Sequence, residues 1–184
     1  VNIMLAYTIC FIKRKNDILL LNREAPAWMG AWNGVGGKLE PGETPRESIL
    51  REVKEETGIQ LDEGIRFKGV VTWTVDQNRA GGMYLYFAEV EDHFEYATPL
   101  KTEEGILDWK DIDWILHRDN VGVATNIVHF LPLLLRDSYC YEHFCDFRNG
   151  RIVHTECERI SNDVEQRDEL LRELRFNRDT VYIT

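Results

Sequence analysis

Residues 37–59 read GKLEPGETPRESILREVKEETGI, and the fold is decided by this stretch. Thr44 precedes Pro45, and Glu47 stands three residues after the threonine. The threonine hydroxyl can cap a helix, the proline suits the first helical position, and the glutamate completes a capping box. Gly58 supplies a left-handed stop. The pattern predicts a helix over Pro45–Thr57. At about 3.6 residues per turn, Ile49, Leu50 and Val53 fall within one arc of roughly 100°. Glu52, Glu55 and Glu56 fall within the neighbouring arc, also roughly 100° wide. Three carboxylates thus share one side of a helix whose adjacent side is apolar.

This acidic side has two readings. Charge runs are usually solvated faces, and Arg46, Arg51 and Lys54 can serve as counter-ions. Like charges three and four residues apart also repel and slightly weaken a helix. In the other reading the repulsion has a use. Carboxylate oxygens are hard ligands, and Mg²⁺ takes one or two of them together with substrate phosphate oxygens. The loop before the helix adds to the second reading. Gly34, Gly36 and Gly37 let the backbone approach a ligand, their carbonyls can ligate a cation, and Lys38 offers a positive charge to phosphate.

Upstream, residues 3–12 form an apolar, β-branched run that reads as a buried strand, followed by a polar turn at 13–17 and a short strand at 18–21. Residues 23–34 carry Pro and Gly with little period and read as a loop. Downstream, residues 65–75 and 83–90 read as strands joined by a loop holding Gly81 and Gly82. A short strand covers 106–109 and an apolar helix 126–136, with Pro132 arguing against a straight one. Strands over 140–147 and 152–158 flank Asn149-Gly150, a hairpin signal. Residues 163–174 read as a charged helix with Val164, Leu170, Leu171 and Leu174 as its apolar positions. Strands mixed with a few helices predict an α+β fold, a mixed sheet packed by helices.

The chain has 184 residues, enough for one domain plus an extension. Its 43% hydrophobic content supports a core, and its net charge of −10 argues against binding duplex DNA or an anionic membrane. The four cysteines, Cys10, Cys140, Cys145 and Cys157, form no CxxC pair or zinc pattern and fit a reducing, cytoplasmic compartment. The apolar opening is too short to span a bilayer, and it lacks the basic start and cleavage site of a signal peptide.

The 37–59 stretch resembles the Nudix signature at every defined position. Gly37 opens it, Glu43 follows after five residues, and Arg51-Glu52 come after seven more. Val53, Glu55-Glu56, Gly58 and Ile59 complete it. Such a match arises by chance about once in 10⁹ to 10¹⁰ windows. The resemblance implies a Nudix-type α/β/α sandwich and hydrolysis of a nucleoside diphosphate linked to another moiety, with Mg²⁺ or Mn²⁺. It implies Glu52, Glu55 and Glu56 as metal ligands with the Gly36 or Gly37 carbonyl, and Glu52 as the leading general base. Arg51 and Glu43 would pair and orient the ligands.

Arg23 resembles the phosphate-contacting arginine of MutT-type members; the other reading is a solvent-exposed arginine at a strand end. Glu104, favoured over Glu103, resembles a further metal-binding glutamate found five or six residues before a tryptophan, here Trp109; the other reading is an ordinary acidic loop. The WNGxGGK pattern at 32–38 and the apolar run at 130–135 resemble enzymes that destroy oxidised purine nucleoside triphosphates. This likeness covers residues 1–160, expected as the hydrolase domain, whereas 161–184 match nothing and read as an added helix and tail. The implied reaction gives a nucleoside monophosphate and pyrophosphate, with 8-oxo-dGTP as candidate substrate. The sequence departs from one such enzyme at Val123-Ala124-Thr125-Asn126, where that enzyme carries a tryptophan and two aspartates that hold the base. Asn33 and Asn126 offer amides that can read a purine edge, or they hold a loop and cap a helix. The alternatives are a Nudix enzyme for another nucleoside diphosphate derivative, or a non-catalytic sensing module, which usually loses the glutamates kept here. A homodimer stays open.

Overall fold

Alternating apolar residues in the central strands give one sheet two buried faces, and each face receives its own helix. A computed structural model describes residues 5–180, with side chains through residue 177. The strands are β1 (Tyr7–Arg14), β2 (Asp17–Arg23), β3 (Trp32–Asn33), β4 (Ile65–Val75), β5 (Arg79–Glu89), β6 (Leu100–Lys101), β7 (Gly105–Asp111), β8 (Cys140–Arg148) and β9 (Arg151–Ile160). The helices are α1 (Pro45–Thr57), α2 (Ile112–Ile115), α3 (Ile127–Arg136) and α4 (Arg175–Thr180). The sheet order is β6-β7-β2-β1-β5-β4-β8-β9, with β3 added to β2. The pairs β1–β5 and β4–β8 are parallel and the others antiparallel.

The parity of β1 and β2 sets the two layers. Cys10, Ile12, Leu19 and Leu21 pack with Ile49 and Val53 of α1. Ile9, Phe11, Ile18 and Leu20 pack with Ile127, Phe130, Leu131 and Leu134 of α3. This is the α+β sandwich with a mixed sheet. The strands β1 and β2 pair only near their shared turn, through Ile12, Lys13 and Arg14. Beyond that they separate, and residues 32–38 fill the gap: β3 joins Leu21 and Asn22 of β2, while Val35 and Gly37 bond to Cys10 and Thr8 of β1. The glycine loop is therefore fixed between two strands at one end of the sheet.

Helix α1 has the predicted bounds, a complete capping box at Thr44 and Glu47, and Gly58 in the left-handed region at its C-cap. Several other expectations need correction. The first strand was expected over 3–12; residues 3 and 4 lie outside the described residues, and the strand runs on through Lys13 and Arg14 because the turn needs only Lys15 and Asn16. Gly81 and Gly82 lie inside β5 rather than in a loop, opposite Trp73 and Thr72. The loop expected at 23–34 contains β3. Asn126 is the residue before α3, not its first turn.

The charged helix expected over 163–174 does not form. Two 3₁₀ turns, Asn162–Glu165 and Asp168–Glu173, take its place and lead into α4. Val164, Leu171 and Leu174 keep a helical spacing, but Phe176, which enters the same α1-side core, does not share their stripe. Among the described residues no helix is long and apolar enough to cross a membrane.

Candidate active site

The site is built where α1, the glycine loop, the end of β2 and the turn before β7 meet. Burial of Ile49 and Val53 turns the neighbouring arc of α1, with Glu52 and Glu56, toward the loop. The loop must come close. A Cβ on Gly36 would stand 2.2 Å from the Thr8 carbonyl oxygen, and one on Gly37 would stand 2.5 Å from the Glu52 carboxyl group. The Gly36 approach is to backbone and admits only glycine, which also has φ 150° there, whereas a side chain at 37 would push the Glu52 carboxyl out of place.

Glu56 is half-buried, and its carboxylate accepts a 2.9 Å hydrogen bond from the Gly36 N–H. Burial pushes its pKa up to about 8; the Gly36 bond pulls it down, Glu52 and Glu104 add to the rise, and Arg23 opposes it. Burial likewise raises the Glu52 carboxyl, against a 2.8 Å bond from Arg51. For both acids burial, which penalises the charged form, is the leading cause of the rise.

Arg51 is the fixed centre of the cluster. Its Nε and Nη2 grip Glu43 at 2.8 and 3.0 Å, a bidentate pair. Nη1 reaches Glu52 at 2.8 Å and Glu55 at 3.2 Å, and Nη2 also donates to the Lys38 carbonyl. Hydrogen bonding to Arg51 holds Glu43 below the usual carboxylate range. Glu43 is thereby tied to the loop and to the helix face at once.

The structure brings together Glu43, Arg51, Glu52 and Glu56, with Gly37 against Glu52 and with Glu104 and Arg23 in electrostatic reach of Glu56. Glu55 stands apart: its side chain is 61% exposed and touches only Arg51 in this group. The Gly37 carbonyl accepts from the Thr8 N–H at 2.8 Å and, more weakly, from the Thr8 hydroxyl at 3.5 Å. Lys38 is exposed beside the cluster. The Arg23 Nε is buried and has no hydrogen-bond partner. Among the described residues no three carboxylate, imidazole or thiol groups lie close enough together to hold a metal ion by themselves. The donor set nevertheless fits a hard divalent cation. It is all oxygen: the Glu52 and Glu56 carboxyls and the Gly37 carbonyl, the donor type such an ion takes.

On the α3 side, β3 pairs with the segment that leads into α3: the Trp32 N–H donates to the Gly122 carbonyl, and the Ala124 N–H to the Trp32 carbonyl. This brings Asn33 and Asn126 to one end of the sheet. They differ in commitment. The Asn33 amide oxygen accepts from the Gly34 N–H at 2.9 Å. Asn126 makes no side-chain cap bond, and its amide oxygen is buried without a partner. Half-buried Trp28, Trp32 and Trp73 pack against the core beside them, and Trp28 meets Phe147 at 6.3 Å. Sequence reading had Trp32 only as part of the WNGxGGK pattern and did not single out Trp28 or Trp73. Two tryptophans within a Pro- and Gly-rich loop were the available signal.

The NUDIX domain model matches residues 4–134. A Nudix hydrolase of Bacillus subtilis (strain 168) is 32% identical over 130 residues, covering 70% of this chain and 78% of that protein. A mouse (Mus musculus) protein named oxidized purine nucleoside triphosphate hydrolase is 28% identical over 138 residues, 75% of this chain and 84% of its own. The fold is similar to that of a MutT protein from Bacillus halodurans, with TM-score 0.69 and 23% identity, covering 84% of this chain and 98% of that one. The signature matched by family and the glutamates gathered around Arg51 agree, and the chain belongs to the Nudix family and is a Nudix hydrolase.

Proposed function

We propose that this hydrolase cleaves a nucleoside triphosphate to a nucleoside monophosphate and pyrophosphate, with 8-oxo-dGTP as leading substrate and Mg²⁺ or Mn²⁺ as its ion. The observation that carries the reading is the geometry of the cluster: Glu56 is bonded to the Gly36 N–H of the glycine loop, and Glu52 beside it is held by Arg51, itself anchored by Glu43. Glu52, Glu56 and Glu55, with the Gly37 carbonyl and Glu104, would hold the ion. When bound, the ion neutralises the diphosphate and makes water a better nucleophile.

The chain's own residues do the rest. Glu52 takes a proton from the water that attacks phosphorus, and the bond from that phosphorus to the bridging oxygen breaks, releasing pyrophosphate. Its raised carboxyl is better matched to that task than an exposed one. Arg51, anchored by Glu43, keeps the Glu52 carboxylate oriented. Arg23 and Lys38 supply positive charge to the phosphates, and the unpartnered Arg23 Nε has a donor to give. In this reading residues 1–160 are the hydrolase domain, and 161–184 are an extension whose described part covers the sheet on the α1 side. The substrate is a small nucleotide and the compartment a cytoplasmic, reducing one, in keeping with four unpaired thiols.

The base reading rests on the open Asn126 oxygen. The oxidised purine carries a hydrogen on N7 where guanine has an acceptor, and the Asn126 amide oxygen accepts from it while an amide NH₂ of Asn33 or Asn126 donates to O6. The name of the mouse relative points the same way. The test is the ratio of kcat/KM for 8-oxo-dGTP over dGTP. It should exceed one in the wild type and fall roughly 5- to 150-fold in Asn126→Ala, the equivalent of about 1–3 kcal/mol, with a smaller change in Asn33→Ala. A wild-type ratio near one, or a ratio untouched by Asn126→Ala, removes the oxidised purine and leaves the hydrolase. One observation favours a different nucleoside diphosphate derivative: Val123 and Ala124, where the resembling enzyme recognises the base, are buried in the core here.

A further inference from the structure

At the opposite end of the sheet from the glutamates, a cavity of about 290 Å³ opens between the strand ends and the C-terminus of α3. Its wall includes Lys13, Arg66, Lys68 and Arg136, with Glu89 and Asp137 as the acids. Four cations against two carboxylates stand out on a chain of net charge −10. Lys13 is five residues along β1 from Thr8, roughly 17 Å in an extended strand. It also lies on the α3 side, whereas α1 and its glutamates lie on the other.

The wall is constructed by a bulge in β4. Phe67 pairs with Tyr86 and Gly69 with Leu85, so Lys68 has no opposite number. The extra residue shifts the parity of the strand. Ile65 and Phe67 face the α1 side before it, Val71 faces the α3 side after it, and Arg66 and Lys68 are left pointing to α3. Gly69 allows this, with φ 109° and no room for a Cβ, which would stand 2.0 Å from the Tyr141 carbonyl oxygen. Bulges re-aim side chains and recur beside functional sites. Lys68 is only 5% exposed.

The local acids are already used. Glu89 pairs with Lys13. The Asp137 carboxylate accepts from the Tyr141 hydroxyl at 3.1 Å and the Tyr139 N–H at 3.0 Å. Lys68 donates to the Asp137 carbonyl, which offsets the negative end of α3. Arg66 lies over the Phe87 ring at 5.1 Å, and neither it nor Arg136 forms an ion pair with a described residue. Two guanidinium groups thus remain for something else, and a planar guanidinium matches phosphate oxygens bidentately. The cavity is at the small end of ligand pockets.

We propose that this bulge-built cavity is a second, anion-binding site for a small phosphate-bearing molecule, gripped by Arg66 and Arg136 and separate from the hydrolytic glutamates. The claim does not depend on which nucleotide the enzyme cleaves. The test is calorimetric titration of the full chain in excess EDTA with inorganic phosphate and with pyrophosphate. Saturable binding of either anion is expected, weakened roughly tenfold or more in the Arg66→Gln/Arg136→Gln double variant. A control double variant, Arg118→Gln/Arg172→Gln, removes the same charge elsewhere and should bind as the wild type does. Both arginines of the cavity are exposed, so a thermal midpoint near that of the wild type will show that the variant is folded. Absence of saturable binding to the wild type, a smaller loss in the cavity variant, or an equal loss in the control overturns the proposal.

Discussion

Glu142 of β8 and Glu56 of α1 both lie on the α1 side of the sheet, and their surroundings differ. Glu142 is 1% exposed and accepts from the Thr72 hydroxyl at 2.7 Å and from the Arg175 and Phe176 N–H groups at 2.6 and 3.2 Å. Nearby Glu165 accepts from the Tyr86 hydroxyl and pairs with Arg46 at 2.8 Å. These acids fasten the C-terminal tail to the sheet, and every bond they need is made within the chain. Glu56 accepts a hydrogen bond from the Gly36 N–H and has other acids as neighbours. A buried acid that is satisfied serves the fold, whereas one buried among other acids costs stability when it is ionised.

The largest effect that could break this contrast is on turnover. Glu56→Gln and Glu52→Gln should each lower kcat by about 10²- to 10⁴-fold, with thermal midpoints at or above that of the wild type. Wild-type turnover in Glu56→Gln would place the site elsewhere. Glu142→Ala should behave in the opposite way. Three donors lose their acceptor, at about 3–5 kcal/mol of unfolding free energy, while the folded fraction keeps its kcat. Urea titration combined with activity per folded molecule separates the two.

His143, next to Glu142, supplies a pH test. Burial pushes its pKa down from 6.5 to about 4. The unfolded chain binds this proton below about 6.5 and the folded one only near 4, so unfolding takes up a proton within that window. Stability should therefore fall as pH drops from about 6.5 to 4, by about 3 kcal/mol from this group. His143→Gln should remove that part of the slope; an unchanged slope would contradict the assigned burial. The smallest effect is ligand-linked. Mg²⁺ at a hundred times its Kd should stabilise the wild type by about 2.7 kcal/mol, and clearly less in Glu56→Gln. Equal stabilisation of both proteins would mean that the ion binds elsewhere.

The same contrast explains what the sequence made legible. Helix α1 could be read to the residue because its signals are local: Thr44, Pro45, Glu47 and Gly58 all act within a turn of its ends. The pairing of Arg51 with Glu43 followed from the resemblance, and the structure shows it. Glu142 gave no warning, because a polar residue in a strand looks solvated until its partners, 33 residues or more away in sequence, are known. The pairing of β3 with residues 122–124 is equally non-local. The tail misled for a related reason. Its charge pattern is helical, but its shape is set by where Val164, Leu171 and Phe176 find room in the core. Asn33 and Asn126 looked alike in the sequence, and only the fold separates the committed amide from the open one.

The measurement that tests the central claim most directly is product analysis. Wild-type protein and Glu56→Gln should be incubated with a nucleoside triphosphate and Mg²⁺, and nucleoside monophosphate, pyrophosphate and orthophosphate followed together. The account predicts equimolar monophosphate and pyrophosphate from the wild type and almost none from Glu56→Gln. Orthophosphate as the main product, or equal product from the variant, would contradict it.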